Sequence, residues 1–278
     1  MNQSSILITG CSSGIGLDAA LSLHKRGWRV FATCRAQSDC DKLIAQGLES
    51  FVLDYASSES IQNAVAQTHE LTNGKLDALF NNGAFAIPGR VEDLPRGALR
   101  SIFETNLFGQ FELINAVLPN MRKRNAGRII NNSSVLGFAA QPFRGAYNST
   151  KFAMEGLTDT LRLELHDSQI YIILIEPGPI GTRIRENSIP HFERWVDWKA
   201  SIDKQEYEAK LIPRLYHPSK EKDRFELECS AVTDKLIHAL ESNKPNPRYY
   251  VTTPTHLAGA LKRLLSTRLL DKVLLRGR

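Results

Sequence analysis

An α/β fold built on one parallel sheet is the architecture this sequence predicts. Three observations carry it. Short apolar runs alternate with longer segments of helical period, no repeat or Pro/Gly-rich linker interrupts that alternation, and 278 residues, 42% hydrophobic and 23% charged, suit one large domain. The strand candidates are Ile6 to Ile8, Val30 to Ala32, Phe51 to Leu53, Leu76 to Phe80, Arg128 to Asn131, Ile170 to Ile175 and Tyr249 to Val251. Together they make a sheet of seven strands. Helical period marks Ile15 to Arg26 and a segment from Leu43 onward, while Ala153, Leu157, Leu161 and Leu165 recur at i+4 as the core-facing stripe of a further helix.

Residues 183 to 228 break this rhythm, being polar and carrying Phe192, Trp195 and Trp198 among many charges. They read as a lid inserted before the last helix and strand, or alternatively as ordinary surface helix. The plan is therefore a catalytic domain over residues 1–255, including that lid, followed by a basic amphipathic helix over 256–278.

The net charge of +5 is concentrated in that last segment. It holds six basic residues (Lys262, Arg263, Arg268, Lys272, Arg276 and Arg278) and one acid, Asp271, while the remaining chain is balanced at 29 of each sign. A neutral body with a basic tail lacks the distributed basic face that nucleic acid requires, so no nucleic-acid partner is expected. The tail can lie on an anionic membrane surface, or dock on its own domain or on a second subunit. Cys11, Cys34, Cys40 and Cys229 show no paired spacing and no histidine falls in a metal-ligand pattern, which points to a reducing compartment and no metal. Without a leader-like N-terminus or a run of 18 apolar residues, a cytoplasmic protein is expected, with the tail allowing peripheral membrane contact.

Directly after the first strand, Thr9-Gly10-Cys11-Ser12-Ser13-Gly14-Ile15-Gly16 opens into a helix. Glycines there allow a tight turn and let main-chain N–H groups approach a pyrophosphate, although a plain strand-to-helix turn has the same composition. The second strand ends in Thr33-Cys34-Arg35, with no acid to hold a ribose 2′-hydroxyl. Arg35 offers a guanidinium fork to a 2′-phosphate, so NADP(H) is expected over NAD(H), with an exposed strand-end arginine as the alternative. Asp54, after the third strand, can accept from an adenine amino group or cap a helix.

Tyr147 and Lys151 stand four residues apart, on one face of a helix starting near Ala146. A cation beside a phenol favours phenolate, so Lys151 is expected to bring Tyr147 toward the working pH for proton exchange with a carbonyl or alcohol oxygen. Ser134, in Asn132-Ser133-Ser134 at a strand end, can hydrogen-bond the same oxygen.

In this order the motifs resemble the short-chain dehydrogenase/reductase family along nearly the whole chain, most specifically over residues 5 to 185. The resemblance implies a single-domain Rossmann fold, a doubly wound parallel sheet of seven strands with helices on both faces. It implies a catalytic set of Asn106, Ser134, Tyr147 and Lys151, with Asn106 in a water relay to Lys151. Gly10, Ser12, Ser13, Gly14, Ile15, Gly16, Arg35, Asp54, Asn81, Tyr147, Lys151, Pro177, Ile180 and Thr182 are its cofactor-binding residues. One departure stands out: the family usually has Asn-Asn-Ala-Gly where this chain has Asn81-Asn82-Gly83-Ala84. Within the family, the branch resembled handles lipophilic carbonyls and alcohols, so an NADP(H)-dependent aldehyde or ketone reductase is expected, aldehyde reduction being favoured, with hydroxysteroid or retinol dehydrogenase as the alternative. A cofactor-sensing regulator is the non-enzyme alternative, a homodimer or tetramer is implied, and Phe138, Phe143 and Trp195 are candidate pocket residues.

Overall fold

A computed structural model of the chain describes residues 3–217 and 222–276. Four lid positions and the last two residues of the predicted tail lie outside the described residues. The sheet is made of β1 (Ser5–Thr9), β2 (Arg29–Cys34), β3 (Glu49–Val52), β4 (Ala78–Asn81), β5 (Gly127–Asn132), β6 (Ile170–Glu176) and β7 (Arg248–Tyr250). All pairings are parallel, in the spatial order β3-β2-β1-β4-β5-β6-β7. Each predicted strand is present, with ends moved by at most two residues.

A parallel sheet covered on both faces needs strands that are apolar on both faces, and β1 is buried at every position. Alternation along it separates the two layers. Ile6 and Ile8 pack with Ala19 and Leu23 of α1 (Gly14–Lys25) and Leu236 of α10 (Ser230–Glu241), whereas Leu7 packs with Ile61 of α3 (Ser58–Thr72) and Leu113 of α5 (Gly109–Arg124). The strand order reverses between β1 and β4, so their carboxyl ends part and leave a crevice.

Three helical expectations need correction. The helix expected from Leu43 onward is α2 (Gln37–Ile44), which ends there. On α6 (Gly145–Glu164) the stripe assigned to the core holds only at its far end: Leu161 packs on the core and Leu165 is buried, whereas Leu157 is 45% exposed and Lys151, Met154, Glu155 and Thr158 face inward earlier in the helix. The single C-terminal helix is two, α11 (Thr253–Leu264) and α12 (Thr267–Arg276), because Leu265 is extended and the Ser266 carbonyl accepts the first amides of α12. Short polar residues such as Ser266 and Thr267 favour such a break over a helix interior. No helix among the described residues is long and apolar enough to cross a membrane.

The lid segment is helical and anchored. It comprises α7 (Ile184–Trp195), a 3-10 turn (Trp198–Ala200), α8 (Lys204–Glu206), a π turn (Tyr207–Leu211) and α9 (Ile212–Tyr216). Phe192, Tyr207 and Leu215 form a third apolar cluster with Ala98 and Ile102 of α4 (Arg96–Phe103) and Ala146 of α6. The buried Tyr207 hydroxyl donates to Asp93 at 2.6 Å and accepts from the Arg90 amide at 2.9 Å. Phe143 and Trp195 belong to this cluster and Phe138 packs on Tyr250, so none of the three lines the crevice.

Candidate active site

The crevice at the carboxyl ends of β1 and β4 is a cleft of about 1310 Å³. Gly10, Ser12, Ser13, Gly14 and Ile15 form one end of it. Gly10 and Gly14 have φ of +70° and +61°, which side-chain-bearing residues rarely adopt, and a Cβ on Gly10 would stand 2.7 Å from Gly83 Cα. Ser13, the N-cap of α1, makes no side-chain cap, and no acid lies in the first turn. The first amides of α1 are therefore uncapped by side chains and open toward the cleft, the arrangement a pyrophosphate requires. Gly16 lies below the wall, where a Cβ would strike the Gly10 carbonyl.

Arg35 follows β2 at the same end of the cleft and has no hydrogen-bond or ion-pair partner among the described residues. Its charge reaches across to His191 on α7, whose imidazole is pushed down by burial and by Arg35. Nearby Asp39, also on the wall of the cleft, is paired with Lys42 at 2.8 Å. Asp54 also lines the cleft, and its carboxylate accepts from the Ala56 amide at 3.0 Å; Ser57, not Asp54, caps α3.

Asn81 does not reach the cleft, a correction to its cofactor-binding role. It lies fully buried at the end of β4, accepting from the Tyr55 hydroxyl at 2.7 Å and donating to Asn131 at 3.0 Å. Asn82 takes its place on the wall and ties the glycine turn down through the Thr9 carbonyl at 3.0 Å. The departure at Gly83 has a structural counterpart, since a Cβ there would meet the Tyr55 ring at 3.1 Å. Tyr55 occupies the space that an alanine at 83 would use.

The reacting end of the cleft brings Ser134, Tyr147 and Lys151 together. Ser134 follows β5, accepts from the Leu136 amide at 3.1 Å and donates to the Pro177 carbonyl at 3.5 Å. Tyr147 and Lys151 are one turn apart on α6, with the Lys151 ammonium 5.6 Å from the Tyr147 ring centre. That ammonium is almost fully buried and donates to the Asn132 carbonyl at 2.7 Å.

Electrostatics at this end differ from expectation. Burial pushes the Tyr147 phenol up to about 12, against a lowering from its hydrogen bond with Ser134 and from the Arg144 charge. Burial also brings Lys151 down to about 8, partly offset by Glu155 one turn further on. Tyr147 is thus a neutral proton donor at neutral pH, and Lys151 is a cation that loses its charge within the physiological range.

Asn106 lies in a π turn (Glu104–Phe108) between α4 and α5, fully buried behind the wall. Its side chain accepts from the Phe85 amide at 3.0 Å and donates to the Phe85 carbonyl at 2.8 Å, holding Phe85 against the cleft. Pro177, Ile180 and Thr182 line the cleft after β6. Gly178 between them is closed over by Thr252 and Thr255 at the start of α11, leaving no room for a side chain.

Sequence reasoning missed Arg144, which lines the cleft three residues before Tyr147, and the acids behind Lys151. There Glu155, Asp159 and the fully buried Glu176 all pair with Arg248 of β7, and burial with the neighbouring Glu155 raises Glu176 to about 8. The spacing of Arg144 from Tyr147 was visible, whereas the convergence of acids from α6 and β6 on Arg248 had no local signal.

Residues 4–192 match the family model for short chain dehydrogenase. An uncharacterized oxidoreductase of Escherichia coli, YbbO, is 39% identical over 98% of this chain and 94% of its own length. Human 17-beta-hydroxysteroid dehydrogenase type 1 is 30% identical over 91% and 78%. Among solved structures, a short-chain dehydrogenase from Streptomyces avermitilis superposes with a TM-score of 0.79 at 25% identity, covering 99% of this chain and 98% of that one. The actinorhodin polyketide ketoreductase, solved with NADPH, gives a TM-score of 0.72 at 26% identity over 90% and 95%.

Proposed function

Because the chain belongs to the short chain dehydrogenases, which are oxidoreductases using a nicotinamide cofactor, we propose that it reduces lipophilic aldehydes or ketones with NADPH. The observation that carries this reading is the neutral Tyr147 phenol, which lines the cleft beside Ser134 and Lys151. A bound nicotinamide cofactor supplies the hydride. Ser134 and Tyr147 orient the carbonyl oxygen, and Tyr147 donates its proton as negative charge develops there. Lys151, held by the Asn132 carbonyl, keeps a positive charge one turn away, which favours the phenolate that remains.

The choice of NADP(H) rests on Arg35, a guanidinium without a protein partner beside the glycine turn, and on the lack of a free acid there. The lipophilic substrate class is supported by the apolar wall of Phe85, Ala86, Val135, Leu136 and Leu215, and by the human retinol dehydrogenase 8, 38% identical over 64% of this chain. Oxidation of a hydroxysteroid or retinol by the same residues is the reverse of this chemistry. The test is NADPH oxidation beside NADH with a panel of aliphatic and aromatic aldehydes, retinal and ketosteroids. Turnover preferring NADPH supports the reading; NADPH binding without turnover of any of them would favour a cofactor-sensing role.

Two association surfaces accompany the site. Leu157 on α6 and Phe108 before α5 are apolar and exposed, which supports self-association into a dimer or tetramer. In the tail, α11 is docked, with Gly259 under the Tyr250 ring and the Lys262 ammonium on the Phe138 carbonyl at 2.6 Å. On α12, Leu269, Val273 and Leu275 stay exposed among Arg268 and Lys272, which supports peripheral contact with anionic lipid through α12 alone. A reducing, cytoplasmic setting is supported by three buried free thiols, Cys11, Cys34 and Cys40.

A further inference from the structure

Beyond Tyr147 the cleft is cationic. Arg144 is the N-cap residue of α6, three positions before Tyr147, and its guanidinium makes no hydrogen bond or ion pair with any described residue. Arg185 of α7 and Arg214 of α9 line the same part of the cleft. Both bind one oxygen, Oδ2 of Asp223, at 2.8 and 2.9 Å. Three guanidiniums thus share a single carboxylate, and the one without a partner is nearest the reacting phenol.

Burial together with Arg214 and Arg185 brings Arg144 down to about 10, so it remains charged at neutral pH despite its setting. Holding a half-buried cation beside two others, with only the shared Asp223 carboxylate acting on it from a distance, costs stability. No described residue pairs with Arg144 directly, so an anion bound there from outside would offset that cost. The cofactor's phosphates are one source, but the glycine turn, the open start of α1 and Arg35 already answer them at the other end. Arg144 lies at the reacting end, where its charge acts on Tyr147.

We propose that the physiological substrate is a carbonyl compound bearing a carboxylate, with the carboxylate on Arg144 and the carbonyl on Tyr147 and Ser134. This rests on the reading of Tyr147 as the proton donor. The guanidinium fork matches a carboxylate through two parallel hydrogen bonds, and the apolar wall beside it takes the hydrocarbon joining the two groups. Arg185 and Arg214 widen the positive field and draw the anion in.

The experiment measures kcat/KM with NADPH for ω-oxo fatty acids of increasing chain length and for their methyl esters. The acid should exceed its ester by about tenfold or more at the best length, a difference worth about 1.4 kcal/mol. In Arg144→Met that ratio should fall toward one, and in Arg144→Lys it should fall only in part, because the charge stays while the fork is lost. Esters turned over as well as acids at every length, or an unchanged ratio in Arg144→Met, would overturn the inference and leave the proposed reduction standing. An equal rise in NADPH Kd and loss of acid turnover in Arg144→Met would assign Arg144 to the cofactor and also overturn it. Turnover of neither series by protein that binds NADPH would overturn the proposed reduction together with this inference.

Discussion

Lys151 places its ammonium 5.6 Å from the ring centre of Tyr147, and both groups are shifted by burial toward their neutral forms. For reduction this has a definite sign. The phenol at about 12 keeps its proton across the working range, while Lys151 at about 8 loses its charge as pH rises. The rate of NADPH-dependent reduction should therefore be level below pH 8 and decline above it, as the cation that favours the phenolate disappears. A profile of kcat/KM against pH checks this; a rate that climbs steadily from pH 7 to 10 would contradict it.

Burying Lys151 also leaves a mark on stability. Its folded value lies below the unfolded one of 10.5, so between about 8 and 10.5 the unfolded chain binds more protons and stability should rise with pH from this group. The contribution amounts to about 3 kcal/mol over that window. Denaturant unfolding of the wild type and Lys151→Met at several pH values isolates it, because other groups cancel in the difference. The wild type should gain on the variant as pH rises; a constant difference would sink the assignment.

Gly83 and Tyr55 should behave as a coupled pair. Gly83→Ala puts a methyl 3.1 Å from the Tyr55 ring and should cost about 1–3 kcal/mol, as overpacking does, with weaker NADPH binding. Adding Tyr55→Leu frees the space, so the double variant should be less destabilised than the sum of the singles. Additive effects in such a cycle would show that the two side chains do not compete.

Arg35→Asp should raise the KM for NADPH and lower that for NADH, shifting the preference by roughly 10- to 100-fold, the worth of one hydrogen bond to a charged group. Steady-state kinetics with both cofactors reads it directly. Preference unchanged by the substitution would remove Arg35 from the cofactor site.

Deleting residues 267 to 278 should abolish co-sedimentation with phosphatidylserine vesicles and leave the docked α11 in place. Co-sedimentation that survives the deletion, or that is equal on phosphatidylcholine, would rule out electrostatic contact through α12.

The sheet was legible because each strand is its own signal: Ile6, Leu7 and Ile8 are apolar in succession, which only a strand buried on both faces needs. Tyr147 and Lys151 were legible because a helix fixes what four residues of spacing mean. Leu157 misled for the same reason in reverse. Period locates a helix face but not which face turns inward, and on α6 that is decided by Lys151 and Thr158 joining polar networks. Asn81 and Asn82 are adjacent and chemically identical, so only the pleat of β4 says that the first points into the core and the second into the cleft. The spacing of Arg144 from Tyr147 was visible, but its interest comes from a missing partner among the described residues, which exists only in three dimensions.

The most direct measurement of the central claim follows single-turnover NADPH oxidation by an aldehyde substrate in the wild type and Tyr147→Phe, with NADPH binding measured on the same preparations. The account predicts NADPH binding within about twofold and a hydride-transfer rate lower by about 100- to 10,000-fold in the variant, the worth of a positioned proton donor. A variant that binds NADPH and transfers hydride at the wild-type rate would contradict it.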